Sequence, residues 1–351
     1  MLDNNENPLT VLIPSGAGAP GFAGIVRCLR AESTWQIVAG DVNEYAYGKS
    51  LCDAFEVISG SDKEEAYLLD VKAMVEKYAV GVILPITTRE LGILSRRKEE
   101  FAQLGVRVVV SGAEAIVVAN NKGLTAGVAA ALGLPVPEYA VCGDLNSFLT
   151  AVRDLQERHA RVCFKPVEGN GSRGFGIVVK DIERGAFMSG KAGIMPLTLE
   201  EWALRMSERF EVPLMVSAYL EGVEYSVDML CEGGKTLFCV PRTRDKMIGG
   251  ISVAGRLDRN FGLIAFCIRL AQAMELDGAI GMQWKEDGAG VPHLLEINPR
   301  LQGTTSALAL AGLNLPVQAV RLAMGMGLTQ GTADIAWGER FVRFWDERLL
   351  E

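Results

Sequence analysis

Histidine is nearly missing from this 351-residue chain: His159 and His293 are the only two, and they lie far apart. Two isolated imidazoles argue against a zinc centre, and neither falls in a motif below where it could act as a general base. Paired cysteines are missing as well. The seven cysteines, Cys28, Cys52, Cys142, Cys163, Cys231, Cys239 and Cys267, contain no Cys-x-x-Cys spacing and form an odd set. That is the pattern of buried free thiols in a reducing compartment. No Lys/Arg-rich block appears and the net charge is -8, so a nucleic-acid partner, which needs a basic face, is not expected. The densest charge run, Arg96-Arg97-Lys98-Glu99-Glu100, mixes signs within a helical pattern and reads as a solvated helix face. Long apolar runs are lacking too. Mean hydropathy is +0.19, yet nothing approaches the ~18 uninterrupted residues of a spanning helix. The opening Met1-Leu2-Asp3-Asn4-Asn5-Glu6-Asn7 has neither the basic nor the apolar stretch of a secretory signal. The expectation is a cytoplasmic protein with no membrane segment.

What is present is a series of short Val/Ile/Leu/Ala runs broken by glycine and charge, the pattern of parallel strands buried under helices. The fold class expected is α/β, with a doubly wound parallel-sheet domain over residues 1–113, lobes over 114–215 and 216–330, and a charged tail at 331–351. In the first zone, Leu9–Ile13, Trp35–Asp41, Val80–Pro85 and Val106–Val110 read as strands, with helices around 63–78 and 89–104. In the second, a helix over Asn121–Leu132 is broken at Gly133–Pro137. Strands at Arg161–Pro166 and Gly176–Lys180 flank a glycine-rich turn. The capping box Thr198-Leu199-Glu200-Glu201 then opens a helix running to about Phe210. In the third, strands are expected at Leu214–Leu220, Tyr225–Cys231 and Leu237–Pro241, and a helix at Phe261–Glu275. Ala279–Trp284 and His293–Asn298 form a hairpin, and a last helix follows Leu315-Pro316.

Four motifs bear on chemistry. Gly16-Ala17-Gly18-Ala19-Pro20-Gly21 follows a strand and Asp41 lies downstream, which matches a dinucleotide fingerprint; any tight strand-to-helix turn also uses such glycines. The second motif is the hairpin. If it folds symmetrically about Ala289-Gly290, Gln283 sits opposite Glu296, and side-chain alternation puts Glu296, Asn298 and Arg300 on one face. One carboxylate and two amide oxygens make a hard-oxygen set of the kind magnesium takes together with phosphate oxygens and water; ordinary edge-strand residues are the alternative. The third is Lys165 followed by the turn Glu168–Gly174, whose Gly169, Gly171, Ser172 and Gly174 can close backbone N–H groups over phosphates beside a fixed positive charge; a plain hairpin tip is the alternative. The fourth is Met215–Glu224, where an apolar strand ends near Gly222 and could hold an adenine, with Glu224 accepting from ribose hydroxyls; an ordinary strand and turn is the simpler reading.

Together and in this order, these pieces resemble the ATP-grasp superfamily, with the nearest likeness in its carbamoyl-phosphate-synthase-like branch. The resemblance runs from Val11 to about Ala323. It includes Leu84–Leu91, Asn120-Asn121-Lys122, and Gln283 followed by Glu296-Ile297-Asn298-Pro299-Arg300 and Ser306-Ala307-Leu308. It implies a pre-ATP-grasp domain followed by a two-lobed ATP-grasp domain, and ATP with Mg2+, or Mn2+ as the alternative ion. Carried over by residue, it implies that Lys122 and Lys165 contact phosphates and that the Gly169–Gly174 turn covers them. Ser217, Ala218 and Leu220 would hold adenine, Ala218 and Leu220 through their backbones, and Glu224 the ribose. Gln283, Glu296 and Asn298 would ligate magnesium, and Arg300 would steady the transferred phosphoryl group. Two departures are visible. Ser217-Ala218 replaces the acid–lysine pair common at the adenine hinge, and Gly303 stands where carbamoyl-phosphate synthase domains carry an arginine, which argues against bicarbonate or carbamate as the substrate. The chain is also far too short for a complete carbamoyl-phosphate synthase.

The activity implied is ligation. A small-molecule carboxylate attacks the γ-phosphate, an acyl phosphate forms, and an amine or ammonia displaces phosphate. Arg242 or Arg244 is expected at the γ-phosphate or the substrate carboxylate, and Glu90 at the substrate amine. Homodimers are common in the resembling family. A non-catalytic Mg-ATP-binding regulatory protein and an NAD-dependent oxidoreductase are the alternatives.

Overall fold

A computed structural model describes residues 8–169, 174–181 and 196–344. The first domain holds a parallel five-stranded sheet of β1 (Thr10–Ile13), β2 (Gln36–Asp41), β3 (Ala54–Val57), β4 (Val80–Ile83) and β5 (Arg107–Val108), in the order β3-β2-β1-β4-β5. Helices α1 (Phe22–Leu29), α2 (Glu64–Lys77), α3 (Thr88–Arg96) and α4 (Lys98–Gln103) connect the strands. The doubly wound arrangement is the one expected. β3 escaped the reading because Ala54-Phe55-Glu56-Val57 is short and only partly buried.

Alternation along β1 decides how this domain sits. Leu12 faces a core with Tyr67, Val71 and Leu91. Val11 and Ile13 face the opposite way, into a core shared with Leu301, Leu308, Leu315 and Phe341 from the far end of the chain. One face of the first sheet is therefore covered by α2, α3 and α4, and the other by α1, which packs with it on the C-terminal lobe.

After α5 (Ala113–Asn120) and α6 (Lys122–Ala131), the second sheet contains β6 (Tyr139–Asp144), β7 (Arg161–Pro166), β8 (Gly176–Val179), β9 (Leu197–Thr198) and β10 (Arg209–Ala218), in the order β6-β10-β7-β8-β9. Helix α7 (Leu145–Gln156) lies on it through Phe148, Ala151, Val152 and Leu155. The capping box at Thr198 does open a helix, α8, but it spans only Leu199–Ala203. The expected continuation to Phe210 is wrong. Arg209 onward is β10, Phe210 stands edge-on to Phe148, and Pro213 lies within the strand, where a helix interior would not accept it. β10 also runs across position 215, where the two lobes were expected to divide.

The third sheet is formed by β11 (Glu224–Glu232), β12 (Lys235–Thr243), β15 (Gly278–Glu286) and β16 (Pro292–Asn298), antiparallel and ordered β12-β11-β15-β16. Helix α9 (Phe261–Ala273) covers one face, burying Leu263, Cys267 and Leu270 against Met229, Ile280 and Trp284. The other face carries the polar groups described below. Short helices α10 (Ser306–Leu310) and α11 (Leu315–Ala323) follow. A three-stranded sheet unseen in the sequence joins β13 (Lys246–Ile248), β14 (Ile251–Arg256) and β17 (Arg340–Val342) in that order. The segment read as a tail thus contributes a strand, and Phe341 is buried. All seven cysteines are free thiols, and six are buried. Among the described residues, no helix is long and apolar enough to cross a membrane.

Candidate active site

The β15–β16 hairpin sets Gln283 opposite Glu296, but the pairs nearer the loop, from Trp284 with Leu294 to Glu286 with Pro292, are centred on Ala289 and not on Ala289-Gly290 as expected. A bulge follows between Gln283 and Trp284. Extending that row across the sheet gives Arg242, Ser226, Gln283 and Glu296 on four neighbouring strands. Two residues along, the same pleat carries Asp228, Gly281 and Asn298. Two residues the other way it carries Glu224 and Lys285. Period-two alternation therefore concentrates polar side chains on one face, while Tyr225, Val227 and Met229 point into the core under α9.

At the end of this face three side chains form a relay. Arg300 donates to Asn298 Oδ1 at 3.2 Å, and Asn298 donates to Glu296 Oε1 at 3.0 Å. Lys122 Nζ lies 3.7 Å from Glu296 Oε2 and donates to the Gly169 carbonyl at 2.8 Å. Lys165 Nζ donates to the Leu295 carbonyl at 2.9 Å. Burial pushes the Glu296 carboxyl up, but Lys165 and Lys122, aided by Asn298 and Arg300, outweigh it and hold the group below the usual carboxylate range. Burial lowers the pKa of Lys122 despite Glu296 beside it. The two lysines come from different elements. Lys122 opens α6, whose N-cap Asn121 accepts from Gly123 and Leu124, and Lys165 ends β7. Gly169 and Gly174 both have positive φ, 112° and 71°, as a glycine turn there needs. Gly171 and Ser172 lie outside the described residues.

At the hinge, Ser217 and Ala218 are buried and Leu220 is half-buried. The Ala218 N–H is spent on the Glu138 carbonyl at 2.9 Å, so of its backbone groups the carbonyl is left to meet a base. Ser217 Oγ contacts Cys163 Sγ at 3.4 Å, on the same face of the sheet as Lys165. Glu224 is paired with Arg244 at 2.9 Å and Lys285 at 3.9 Å.

A cavity of about 510 Å³ lies between the first domain and the third sheet. Its floor is the polar face, with Arg242, Arg244, Gln283, Glu296, Asn298 and Arg300. Its walls are Ala19–Gly21, Ile86–Arg89, the Gly249–Ser252 turn and Leu301–Thr304. Arg242, 1% exposed, donates through Nε to Asp228 at 2.6 Å, while its NH1 has no partner. Arg300 Nε is likewise buried and unpartnered. Arg244 donates to Ser226 Oγ at 3.0 Å and the Gly250 carbonyl at 2.7 Å. Burial lowers the pKa of both Arg244 and Arg300, opposed by Glu224 for the first and Glu296 for the second.

Glu90 is not in this set. It is fully buried and caps α3: Oε1 accepts from Ile86 and Thr87 N–H at 3.1 and 2.9 Å, and Oε2 accepts from Tyr67 at 2.8 Å. Fully buried and absent from the cavity lining, it is not placed to meet a substrate amine there, contrary to the expectation. Its backbone bonds instead hold Ile86 and Thr87 in the cavity wall. The Gly16–Gly21 turn is also accounted for without a dinucleotide. Asp41 accepts from Gly18 N–H at 2.8 Å, and a Cβ on Gly21 would come within 2.7 Å of Gly303 Cα, so the turn is packed against the cavity's far wall. Ser226 and Asp228 were missed, although the alternation Glu224-Tyr225-Ser226-Val227-Asp228 was the signal that could have found them. Thr304 and Ser252, joined at 3.2 Å, had no comparable signal.

A family model described as "ATP-grasp in the biosynthetic pathway with Ter operon" matches residues 210–341, and a PylC-like N-terminal domain model matches 19–109. The carbamoyl phosphate synthase large chain of Mycobacterium tuberculosis (strain ATCC 25618 / H37Rv) is 28% identical over 184 residues, covering 52% of this chain and 15% of that protein. The large chain of Agathobacter rectalis is 26% identical over 253 residues, 68% of this chain and 22% of that one. The chain thus spans less than a quarter of the length of these curated relatives. Among solved structures, an ADP complex of N5-carboxyaminoimidazole ribonucleotide synthetase matches with a TM-score of 0.66 at 16% identity, over 93% of this chain and 79% of that one. Biotin carboxylase from Campylobacter jejuni gives 0.67 at 19%, over 94% and 74%. An L-amino acid ligase from Bacillus licheniformis gives 0.65 at 13%, over 91% and 75%. At such identities these structures share the fold.

Proposed function

This chain belongs to the ATP-grasp superfamily, and from that premise we propose that it is an ATP- and magnesium-dependent carboxylate–amine ligase acting on a small-molecule acid through an acyl phosphate. The observation that carries the reading is the Gln283–Glu296 pair with the Glu296–Asn298–Arg300 relay, set beside two lysines and open to a cavity floored by arginines.

The residues fit the groups this reading requires. Among the described residues no three His, Cys, Asp or Glu side chains are placed to hold a metal ion between them. The donors are one carboxylate and two amides, a set that leaves most of an octahedron to phosphate oxygens and water, as magnesium prefers. Arg242 NH1 and Arg300 Nε are buried donors without partners on two cavity-lining side chains, which suits binding of an anion there. In this reading Glu296, Asn298 and Gln283 hold the ion. Lys122 and Lys165 bind phosphate oxygens. Ala218 and Leu220 offer backbone groups to the base, and Glu224 turns from Arg244 to the ribose. Arg300 and Arg242 face the transferred phosphoryl group and the acid, and Arg244 closes over them. Bound there, magnesium neutralises charge on the phosphate oxygens. The rest of the catalysis is alignment by a pre-formed polar face.

Calorimetric titration of the chain with Mg-ATP and with NAD, followed by ADP release across a panel of carboxylic acids with amines, tests this. The expected result is binding of Mg-ATP and not of NAD, with ADP released only in the presence of a particular acid. Binding of NAD alone, or Mg-ATP binding with no release across the panel, would count against the ligase.

A further inference from the structure

Residues 338–343 run beside the cavity, bonded to β14 on one side and to the Pro20 turn on the other. The Gly338 N–H donates to the Leu257 carbonyl at 2.9 Å, and β17 pairs Arg340–Val342 with Ala254–Arg256. The Arg343 N–H extends the ladder to the Val253 carbonyl at 2.8 Å, next to the cavity residues Ile251 and Ser252. The Arg343 side chain reaches the other way and donates to the carbonyl of Pro20, in the first domain's wall, at 2.6 Å. Between these contacts, the buried ring of Phe341 lies 5.9 Å from the Arg242 guanidinium. The ring comes so close to β14 that a Cβ on Gly255 would meet it at 2.9 Å. Arg242 donates to Asp228 through Nε, and its NH1 has no partner among the described residues. An aromatic ring beside a guanidinium restricts the plane it can adopt. The ring therefore supplies the second constraint on where NH1 points.

We propose that residues 338–343 are a strap that positions the anion-binding half of the site. Phe341 acts through Arg242, and Arg343 ties the Pro20 turn to β14. Both are positioning residues, since neither lines the cavity. Among the described residues the strap makes no hydrogen bond or ion pair with Lys122, Lys165 or Glu296, so its influence is on the acid pocket and not on the nucleotide. The inference rests on reading the cavity floor as the acid site of a ligase.

The test uses the full chain and its Phe341→Ala, Arg343→Ala and Arg343→Lys variants. Mg-ADP is titrated first, then inorganic phosphate is titrated into the Mg-ADP-loaded protein as a probe of the anion pocket. The strap predicts an unchanged Kd for Mg-ADP in all variants. It predicts a phosphate Kd raised about tenfold in Phe341→Ala and Arg343→Ala, with most of the loss restored in Arg343→Lys. Arg343 is half-buried, so its pair of variants carries the test if Phe341→Ala does not fold. A native chain that takes up no Mg-ADP overturns the ligase reading beneath the proposal. A native chain that binds Mg-ADP but no phosphate, or variants that lose neither ligand or both alike, overturn the strap itself.

Discussion

The carboxylate of Glu296 is ringed by cations before any ligand arrives, with Lys122 at 3.7 Å and Arg300 one hydrogen-bonded step away through Asn298. That arrangement keeps it ionised and stores an excess of positive charge where phosphates would enter. Its pairing with Gln283 was expected from a loop symmetric about Ala289-Gly290; the pairs beside the loop are centred on Ala289, and the bulge between Gln283 and Trp284 brings Glu296 opposite Gln283. Glu90 was misread for an equally physical reason. A glutamate that caps a helix and one that contacts a ligand carry the same side chain, and only the positions of Ile86, Thr87 and Tyr67 distinguish them. Glycine carries a residue-scale prediction of its own. A Cβ at position 21 would lie 2.7 Å from Gly303 Cα and 3.1 Å from its carbonyl oxygen, and backbone cannot yield as a flexible side chain would. Gly21→Ala should therefore lose about 1–3 kcal/mol of stability by overpacking in denaturant unfolding. Gly112→Ala, whose Cβ meets nothing within 4 Å, serves as the control.

Elements were legible where one physical signal dominated. The buried runs of β1, β2 and β4 have no competing reading. α7 obeys the same rule, with the Asp144–Ser147 capping box and apolar residues at 148, 151, 152 and 155, and could have been found. β10 could not be bounded, because its first half is exposed and follows directly on a helix-opening signal. β13 has no buried residue at all, so nothing in Lys246-Met247-Ile248 marks it as a strand. The α3 cap supplies the prediction at this scale. Glu90→Ala would leave the buried Ile86 N–H and the half-buried Thr87 N–H without their acceptor, while Tyr67 keeps Ser15, at about 1–3 kcal/mol for each orphaned group. Chemical denaturation should show a loss of at least about 2 kcal/mol, whereas Arg89→Ala, at the exposed neighbour, should change little.

At the scale of the whole molecule, the cavity exists because β1 buries both its faces. Val11 and Ile13 dock the first domain on the C-terminal lobe, and this brings the Pro20 turn and the start of α3 over the polar face of the third sheet. No local pattern in the sequence announces that docking. It follows from alternation in four residues combined with a core assembled from positions some 300 residues apart. The proposed acid pocket is therefore built from three distant segments, whereas the cluster proposed to face the phosphates comes mostly from one hairpin and two lysines. The central claim is that this cluster transfers a phosphoryl group with a metal held by Glu296. Its most direct test is magnesium-dependent ADP formation from ATP, measured for the native chain and for Glu296→Ala under the acid and amine that give the highest rate. Glu296→Ala should fold, keep its thermal transition close to native, and lose ADP formation by at least about a thousandfold. A Glu296→Ala chain that forms ADP at the native rate would contradict the account.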